Sequence, residues 1–385
     1  MLTTPYRTYK KLKQRRLLVI SAGGESSGIQ GLYVIIHDGT WEVIAHAFFP
    51  YGDRIDALIE SARRSPVALS DLSWLDFKVT QLLAECAKTV MAQVPRGLKK
   101  PHLIVLNELS LYRGPTGESG PFGVWNTGIG DPQYLATAMN TPVISEVSRH
   151  HILAGGRGAA PTITGDLIMA KRFGGIVAFL NIGLISHLTI VDSRTPQRCI
   201  VDSDTGPGMC CINRVARDID CPGGFDRDGS QAAKGTVNAA CLDLLATSPW
   251  FLTDGPKEAT ADQFMPLLQK ADLGTLVPQD RLATITALTA RTAYDFFRRA
   301  WKENGLPEVM VVSGGGANNS ALGNYLAAYF GHLPITGCEK CAIPPELRVP
   351  LANGLSIDSF LLGQAAVWED GVLPRTGLLG RVSTP

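Results

Sequence analysis

Residues able to do chemistry gather at a few places along this chain. The first is Val201-Asp202-Ser203-Asp204-Thr205-Gly206-Pro207-Gly208, a strand that ends in an acidic, glycine-rich turn. Gly206 and Gly208 let backbone N–H groups approach a phosphate, and Asp204, beside Thr205, suits a magnesium ion that neutralises it. The plainer reading of the same residues is strand-end punctuation, with Asp204 capping the N–H groups of the turn. The second place is Arg149-His150-His151, a polar cluster followed by Ala154-Gly155-Gly156-Arg157-Gly158. Histidine titrates near neutral pH, so His150 and His151 suit acid–base work, and Arg157 suits an anionic group. The third is a loop in which Gly23, Gly24 and Gly28 enclose Glu25. The fourth is Gly314-Gly315-Gly316-Ala317-Asn318, a glycine triplet that serves an adenosine face or a tight strand-to-helix turn. Cys338-x-x-Cys341 has metal spacing, but no second such pair accompanies it, so zinc is not expected. Cys210-Cys211 reads as core packing.

The elements that must position these residues alternate between strand and helix. Strand-like runs at 17–20, 32–36 and 41–49, the last two joined by Asp38-Gly39, make a hairpin after the first glycine loop, where a dinucleotide or P-loop fold would place a helix. Residues 71–94 have helical spacing, with Ser70 or Asp71 as cap. Strands follow at 102–107 and 142–146. The second half repeats this grammar: strands over 176–201, a helix at 235–248 after a longer loop, a long amphipathic helix over 279–304, a strand at 308–312, and helices at 320–330 and about 356–368. Two strand-led halves, each with a hairpin and a glycine turn, predict duplicated α/β domains facing a cleft.

The bulk composition agrees. At 385 residues the chain is long enough for two domains, and 45% hydrophobic with 18% charged residues is the balance of a soluble, turn-rich α/β enzyme. A net charge of +1 gives no ground for a nucleic-acid partner. No apolar run is long enough to cross a membrane. The eight cysteines read as reduced residues of a cytoplasmic protein. The basic stretch before residue 17 reads as a flexible tail.

The loops at 23–28, 204–208 and 314–319 stand in the order of the phosphate-1, phosphate-2 and adenosine loops of the actin-like ATPase and sugar kinase fold. More narrowly, the chain resembles the family of anhydro-N-acetylmuramic acid kinase and levoglucosan kinase. The residues that carry the resemblance are Ile129-Gly130-Asp131-Pro132, Ala154-Gly155-Gly156-Arg157-Gly158, Asn181-Ile182-Gly183, Asp204-Thr205-Gly206-Pro207-Gly208, Phe225-Asp226-Arg227-Asp228-Gly229 and Gly314-Gly315-Gly316. It spans about residues 17–370. It implies two actin-like (ribonuclease H-like) α/β domains around a central cleft, the first formed by 17–175 with 355–385 and the second by 176–354, after a tail at 1–16. It also implies a homodimer that uses ATP and magnesium to phosphorylate O6 of a small sugar while opening its 1,6-anhydro ring, with an Asp base activating the water.

The resemblance departs from the family at the reacting centre. His151 stands where the base Asp is expected. The first loop, Gly-Thr-Ser-Leu-Asp-Gly in the family, is here Gly23-Gly24-Glu25-Ser26-Ser27-Gly28. The substrate turn His-Gly-Gln-Thr corresponds to Asn107-Glu108-Leu109-Ser110, and a family Glu falls at Phe360 or Leu361. The candidate catalytic residues are therefore His151, His150 and Glu25. Arg149, Arg157, Asn107, Glu108 and Asp131 are candidates for substrate, and Gly23, Gly24, Gly28, Asp204, Thr205, Gly206, Gly208, Gly314, Gly315, Gly316 and Asn318 for nucleotide. Three readings follow: an anhydrosugar kinase with His151 as base, an ATP-independent isomerase, lyase or cyclase built in the same cleft, and a catalytically silent pseudokinase.

Overall fold

The computed structural model describes residues 8–23, 28–37, 39–113, 126–153, 162–194, 197–270, 273–301, 306–364, 367–368, 371–372 and 380–385. The chain divides into two compact units, Met1–Gly165 with Val349–Pro385, and Asp166–Arg348.

In the first unit, β1 (Gln14–Ala22), β2 (Ile29–His37) and β3 (Thr40–Phe49) form an antiparallel meander. Helices α1 (Asp53–Arg64) and α2 (Leu69–Gln93) follow, then β4 (Leu103–Asn107), the small hairpin β5 (Leu109–Arg113) with β6 (Asn126–Ile129), and α3 (Pro132–Met139). Next come β7 (Val143–Ser145), α4 (Val147–Leu153) and α5 (Ile163–Ala170), whose later residues enter the second unit. β4 lies parallel to both β1 and β7. The order β3-β2-β1-β4-β7 places β1 and β4 in the middle. Leu17–Ile20 and Leu103–Leu106 are accordingly buried runs without alternation, as strands covered on both faces require. α2 buries Leu75, Val79, Leu83, Cys86, Ala87 and Val90, a stripe at helical spacing. Its N-cap is Ala68, with Ser70 and the expected Asp71 inside the first turn.

The second unit repeats the plan. β8 (Ile176–Ile182), β9 (Ile185–Asp192) and β10 (Arg198–Pro207) form the meander, followed by α6 (Met209–Asp218), α7 (Ala239–Ala246), α8 (Pro249–Leu252), α9 (Pro278–Ala300), β11 (Val309–Ser313), α10 (Ser320–Tyr329) and β12 (Ile335–Thr336); α11 (Arg348–Leu361) then returns the chain to the first unit. β11 is parallel to β8 and β12, and the order is β10-β9-β8-β11-β12. The two units thus carry the same five-strand order, the duplicated actin-like α/β class that the sequence predicts. A final strand, β13 (Arg381–Ser383), adds to the first sheet beside β7.

Three boundaries differ from expectation. A helix starts at Met209, immediately after β10, because Cys210, Cys211, Ile212 and Val215 bury one face of it. The helix expected over 235–248 shortens to α7. The last helix begins at Arg348 rather than near 356: Pro350 lies in its first turn, where a missing N–H is tolerated, and Gly354 lets the helix approach β1, since a Cβ there would stand 2.6 Å from Val19 Cγ2. The expected tail is also shorter. Tyr9 donates its hydroxyl to Asp358 Oδ1 at 2.5 Å, and Arg15 donates Nε and Nη2 to the same carboxylate at 2.6 and 3.0 Å, all buried.

Candidate functional site

In α/β sheets, ligands bind outside the carboxyl ends of the parallel strands. In the second unit that edge is formed by Ile182, Ser313 and Thr336, and the glycine loops sit on it. Gly314 has φ +82°, and a Cβ there would stand 2.6 Å from the Ile182 carbonyl oxygen, so the loop requires glycine both for its backbone and for its close approach. Gly314 N–H donates to Pro345 O at 3.0 Å. Gly316 packs on Ile182, whereas no atom lies within 4 Å of a Cβ placed on Gly315. A cavity of about 310 Å³ lies alongside, lined by residues including Gly316, Ala317, Asn318, Leu326 and Thr336. Asn319 caps α10 by accepting Leu322 N–H at 2.9 Å. The Asp226–Gly229 segment docks on the same helix start, with Ser320 Oγ donating to Asp228 O at 2.7 Å.

The Asp204 turn is arranged differently from the phosphate loop expected. β10 continues through Thr205 and Gly206 to Pro207. The N–H groups of Gly208, Met209 and Cys210 donate to Leu184, Gly183 and Leu184 carbonyls at 2.9, 2.8 and 3.1 Å, so these amides are taken. Asp204 itself accepts from His187 Nδ1 at 2.8 Å through Oδ1 and from Ala259 N–H at 2.7 Å through Oδ2. The expectation of Asp204 as a magnesium ligand therefore meets a carboxylate with both oxygens engaged. Among the described residues no group of three His, Cys, Asp or Glu side chains could hold a metal ion.

His187 is the residue that sequence reasoning missed. Its Nε2 donates to Asp202 Oδ1 at 3.0 Å while its Nδ1 faces Asp204, so it bridges two carboxylates. Burial pushes the imidazole pKa down, but Asp202 and Asp204 outweigh burial and raise it to about 10. Thr189 Oγ1 adds a hydrogen bond to Asp202 at 2.9 Å. Asp166, fully buried, lies in the same electrostatic neighbourhood and pairs with buried Arg348 at 3.2 Å.

In the first unit the corresponding edge is formed by the ends of β1, β4 and β7. Asn107 Nδ2 donates to Ser21 Oγ at 3.1 Å, tying β4 to β1. Gly23 N–H donates to Gly28 O at 2.9 Å, and Tyr51 OH to Gly23 O at 2.8 Å. Glu108 accepts the N–H of Glu146, a non-glycine residue at φ +56°. Burial pushes the Glu108 carboxyl up to about 7, against the lowering effect of that hydrogen bond. Arg149 and Arg381 both reach the Glu146 carboxylate, at 3.5 and 3.3 Å, and His150 Nδ1 lies 3.0 Å from Glu146 O. His151, on α4, is only 3% exposed. Asp131 is the N-cap of α3, accepting from Gln133 and Tyr134 N–H at 2.7 and 3.2 Å. Glu25, Gly24 and Arg157 lie outside the described residues.

Cys338 and Cys341 are buried and unbridged, and burial pushes their thiols up to about 12 and about 11, so neither is a thiolate at neutral pH. Cys210 and Cys211 sit in an apolar cluster with Ile212 and Leu288, the packing role expected of them. A Cβ on Gly208 would stand 2.3 Å from the Gly183 carbonyl oxygen. Gly208→Ala is accordingly expected to cost about 1–3 kcal/mol of stability by overpacking against backbone, as read by urea unfolding.

A sequence model of the family "Anhydro-N-acetylmuramic acid kinase" matches residues 15–355. The anhydro-N-acetylmuramic acid kinase of Streptomyces coelicolor is 29% identical over 81% of this chain and 78% of its own length. That of Pseudoalteromonas atlantica is 25% identical over 98% of both chains. Among solved structures, component A of the Acidaminococcus fermentans (R)-2-hydroxyglutaryl-CoA dehydratase aligns over 89% of this chain and 96% of its own, at 14% identity and a TM-score of 0.45.

Proposed function

Since the chain belongs to the anhydro-N-acetylmuramic acid kinase family, we propose that it is a kinase that transfers phosphate from Mg-ATP to a small anhydrosugar. The observation that carries this reading is the loop Gly314–Asn318: glycine is enforced at 314, the chain is open at Gly315, and a cavity of about 310 Å³ adjoins it. A nucleoside needs such a close backbone approach beside an apolar wall. The reading assigns the nucleotide to the second unit and the sugar to the Asn107, Glu108 and Arg149 edge of the first. Magnesium enters with ATP as part of the substrate, bound chiefly by its phosphates and waters. Asp204 then acts with His187 to fix the end of β10 rather than as the sole metal ligand. The same reading makes the enzyme a cytoplasmic homodimer, and light scattering tests the dimer, a monomer mass being the contrary result.

One observation favours a second reading, an ATP-independent enzyme: the amides of Gly208, Met209 and Cys210 are already bonded to carbonyls and give a phosphate nothing at that turn. Titration calorimetry with Mg-ATP separates the two. The kinase reading expects saturable binding, weakened at least about tenfold by Gly314→Ala, which strains a positive-φ position and displaces the loop. Absence of binding at millimolar Mg-ATP sinks the kinase reading.

A further inference from the structure

We propose that Glu108, rather than His151, is the proton-accepting residue in the sugar half of the reaction. The assignment rests on the kinase reading above and deepens it.

Three observations carry it. First, β1, β4 and β7 are parallel neighbours, and Glu108 directly follows the last residue of β4, the central strand of the three. This is the edge at which parallel sheets receive ligands. Second, the carboxylate is fixed. It accepts Glu146 N–H from the turn after β7, and the residue before it, Asn107, is pinned to Ser21 at 3.1 Å. A base held from two strands keeps its geometry without rearrangement. Third, the neighbouring acid takes the ion pairs: Arg149 and Arg381 pair with Glu146, and the pull of Arg149 on Glu108 is the smallest of the influences on that carboxyl, well below burial. Burial then holds the Glu108 carboxyl at about 7, near the operating pH at which a base is most effective. His151 is 3% exposed on α4, and His150 is turned to the Glu146 carbonyl at 3.0 Å.

In the step assigned to it, Glu108 takes a proton from water as the water oxygen bonds to C1 of the anhydrosugar. The C1–O6 bond breaks, O6 bonds to the γ-phosphorus of ATP, and the bond from that phosphorus to the β,γ-bridging oxygen breaks to release ADP. The proton passes from Glu108 to solvent afterwards.

The test compares the unaltered chain with Glu108→Gln, Glu108→Asp and His151→Asn in a coupled ADP-release assay on 1,6-anhydro-N-acetylmuramic acid. Mg-ATP calorimetry and melting temperature are measured on the same preparations. Glu108→Gln is expected to lower kcat by about 10²- to 10⁴-fold, leaving the Mg-ATP dissociation constant within about twofold, a split that loss of structure does not produce. Glu108→Asp is expected to recover part of kcat. Activity of Glu108→Gln within about threefold of the unaltered chain overturns the assignment alone, as does absence of rescue by Asp or a large loss confined to His151→Asn. An unaltered chain that neither binds Mg-ATP nor turns over the sugar overturns the kinase reading, and the assignment with it.

Discussion

Arg348→Ala is expected to lower the unfolding free energy by about 3–5 kcal/mol at pH 8, because it removes one partner of a buried ion pair and leaves the other in place. Arg348 is 2% exposed and Asp166 0%, with Nη2 3.2 Å from Oδ2 and the guanidinium 5.0 Å from the Phe179 ring. Asp166 already sits uneasily: burial, aided by Asp202, pushes its carboxyl up to about 7 even with Arg348 and His187 opposing. A carboxyl whose folded pKa lies above its unfolded value favours the native state at low pH and loses that contribution as pH rises, here from about 4 through about 7. Removing the guanidinium takes away the group that offsets this loss. The deficit of Arg348→Ala should therefore be larger at pH 8 than at pH 5, where Asp166 is free to protonate. Urea unfolding at the two pH values reads the difference. The paired change Arg348→Met with Asp166→Asn should recover most of the stability, since no charge is then left buried without a partner.

His187→Ala is expected to cost about 2–3 kcal/mol at pH 7.5, the lower part of the buried-pair range, because the imidazole edge is partly exposed and solvent screens it. In the intact chain both ring nitrogens donate to carboxylates, Nδ1 to Asp204 and Nε2 to Asp202, so the ring is an imidazolium. Its loss leaves two carboxylates on the same strand, β10, with no cation between them. The folded pKa of about 10 lies above the unfolded value, so the contribution is complete below about 6.5 and disappears as pH rises through 10. Melting curves of the two proteins should differ most below pH 7 and converge toward pH 10.5. A difference that stays constant over that range would show that His187 acts by packing alone.

Much of the fold was legible because it is written in local runs. Leu17–Ile20 and Val309–Val312 are apolar without alternation, and only a central strand buries both faces. The Asp38-Gly39 pair set the first hairpin apart from a strand-loop-helix unit. The helix at Met209 was hidden because Gly206-Pro207-Gly208 reads as a loop, whereas Pro207 ends a strand and Gly208 is the N-cap. The start of α11 was hidden in the same way by Pro350 and Gly354. At the candidate site, glycines were easy to find and partners were not. Glu108 meets Glu146 across 38 residues, and Arg348 meets Asp166 across 182. No local pattern encodes either distance. His187 did have a signal: with β9 and β10 read as a hairpin in register, His187 falls opposite Asp204 and Thr189 opposite Asp202. A polar residue facing an acid across a strand pair is a specific pairing, and here it gives Asp204 a side-chain partner in His187.

The central claim is phosphoryl transfer to an anhydrosugar, and the most direct test follows the phosphorus. The unaltered chain is incubated with Mg-ATP and either 1,6-anhydro-N-acetylmuramic acid or levoglucosan, and ³¹P NMR records the products. The account predicts a sugar phosphate and ADP appearing in equal amounts with at least one of the two sugars, and no ADP when sugar is omitted. Unchanged ATP in the presence of both sugars, with the protein folded by its melting curve, would contradict it and leave ATP-independent chemistry as the reading of this fold.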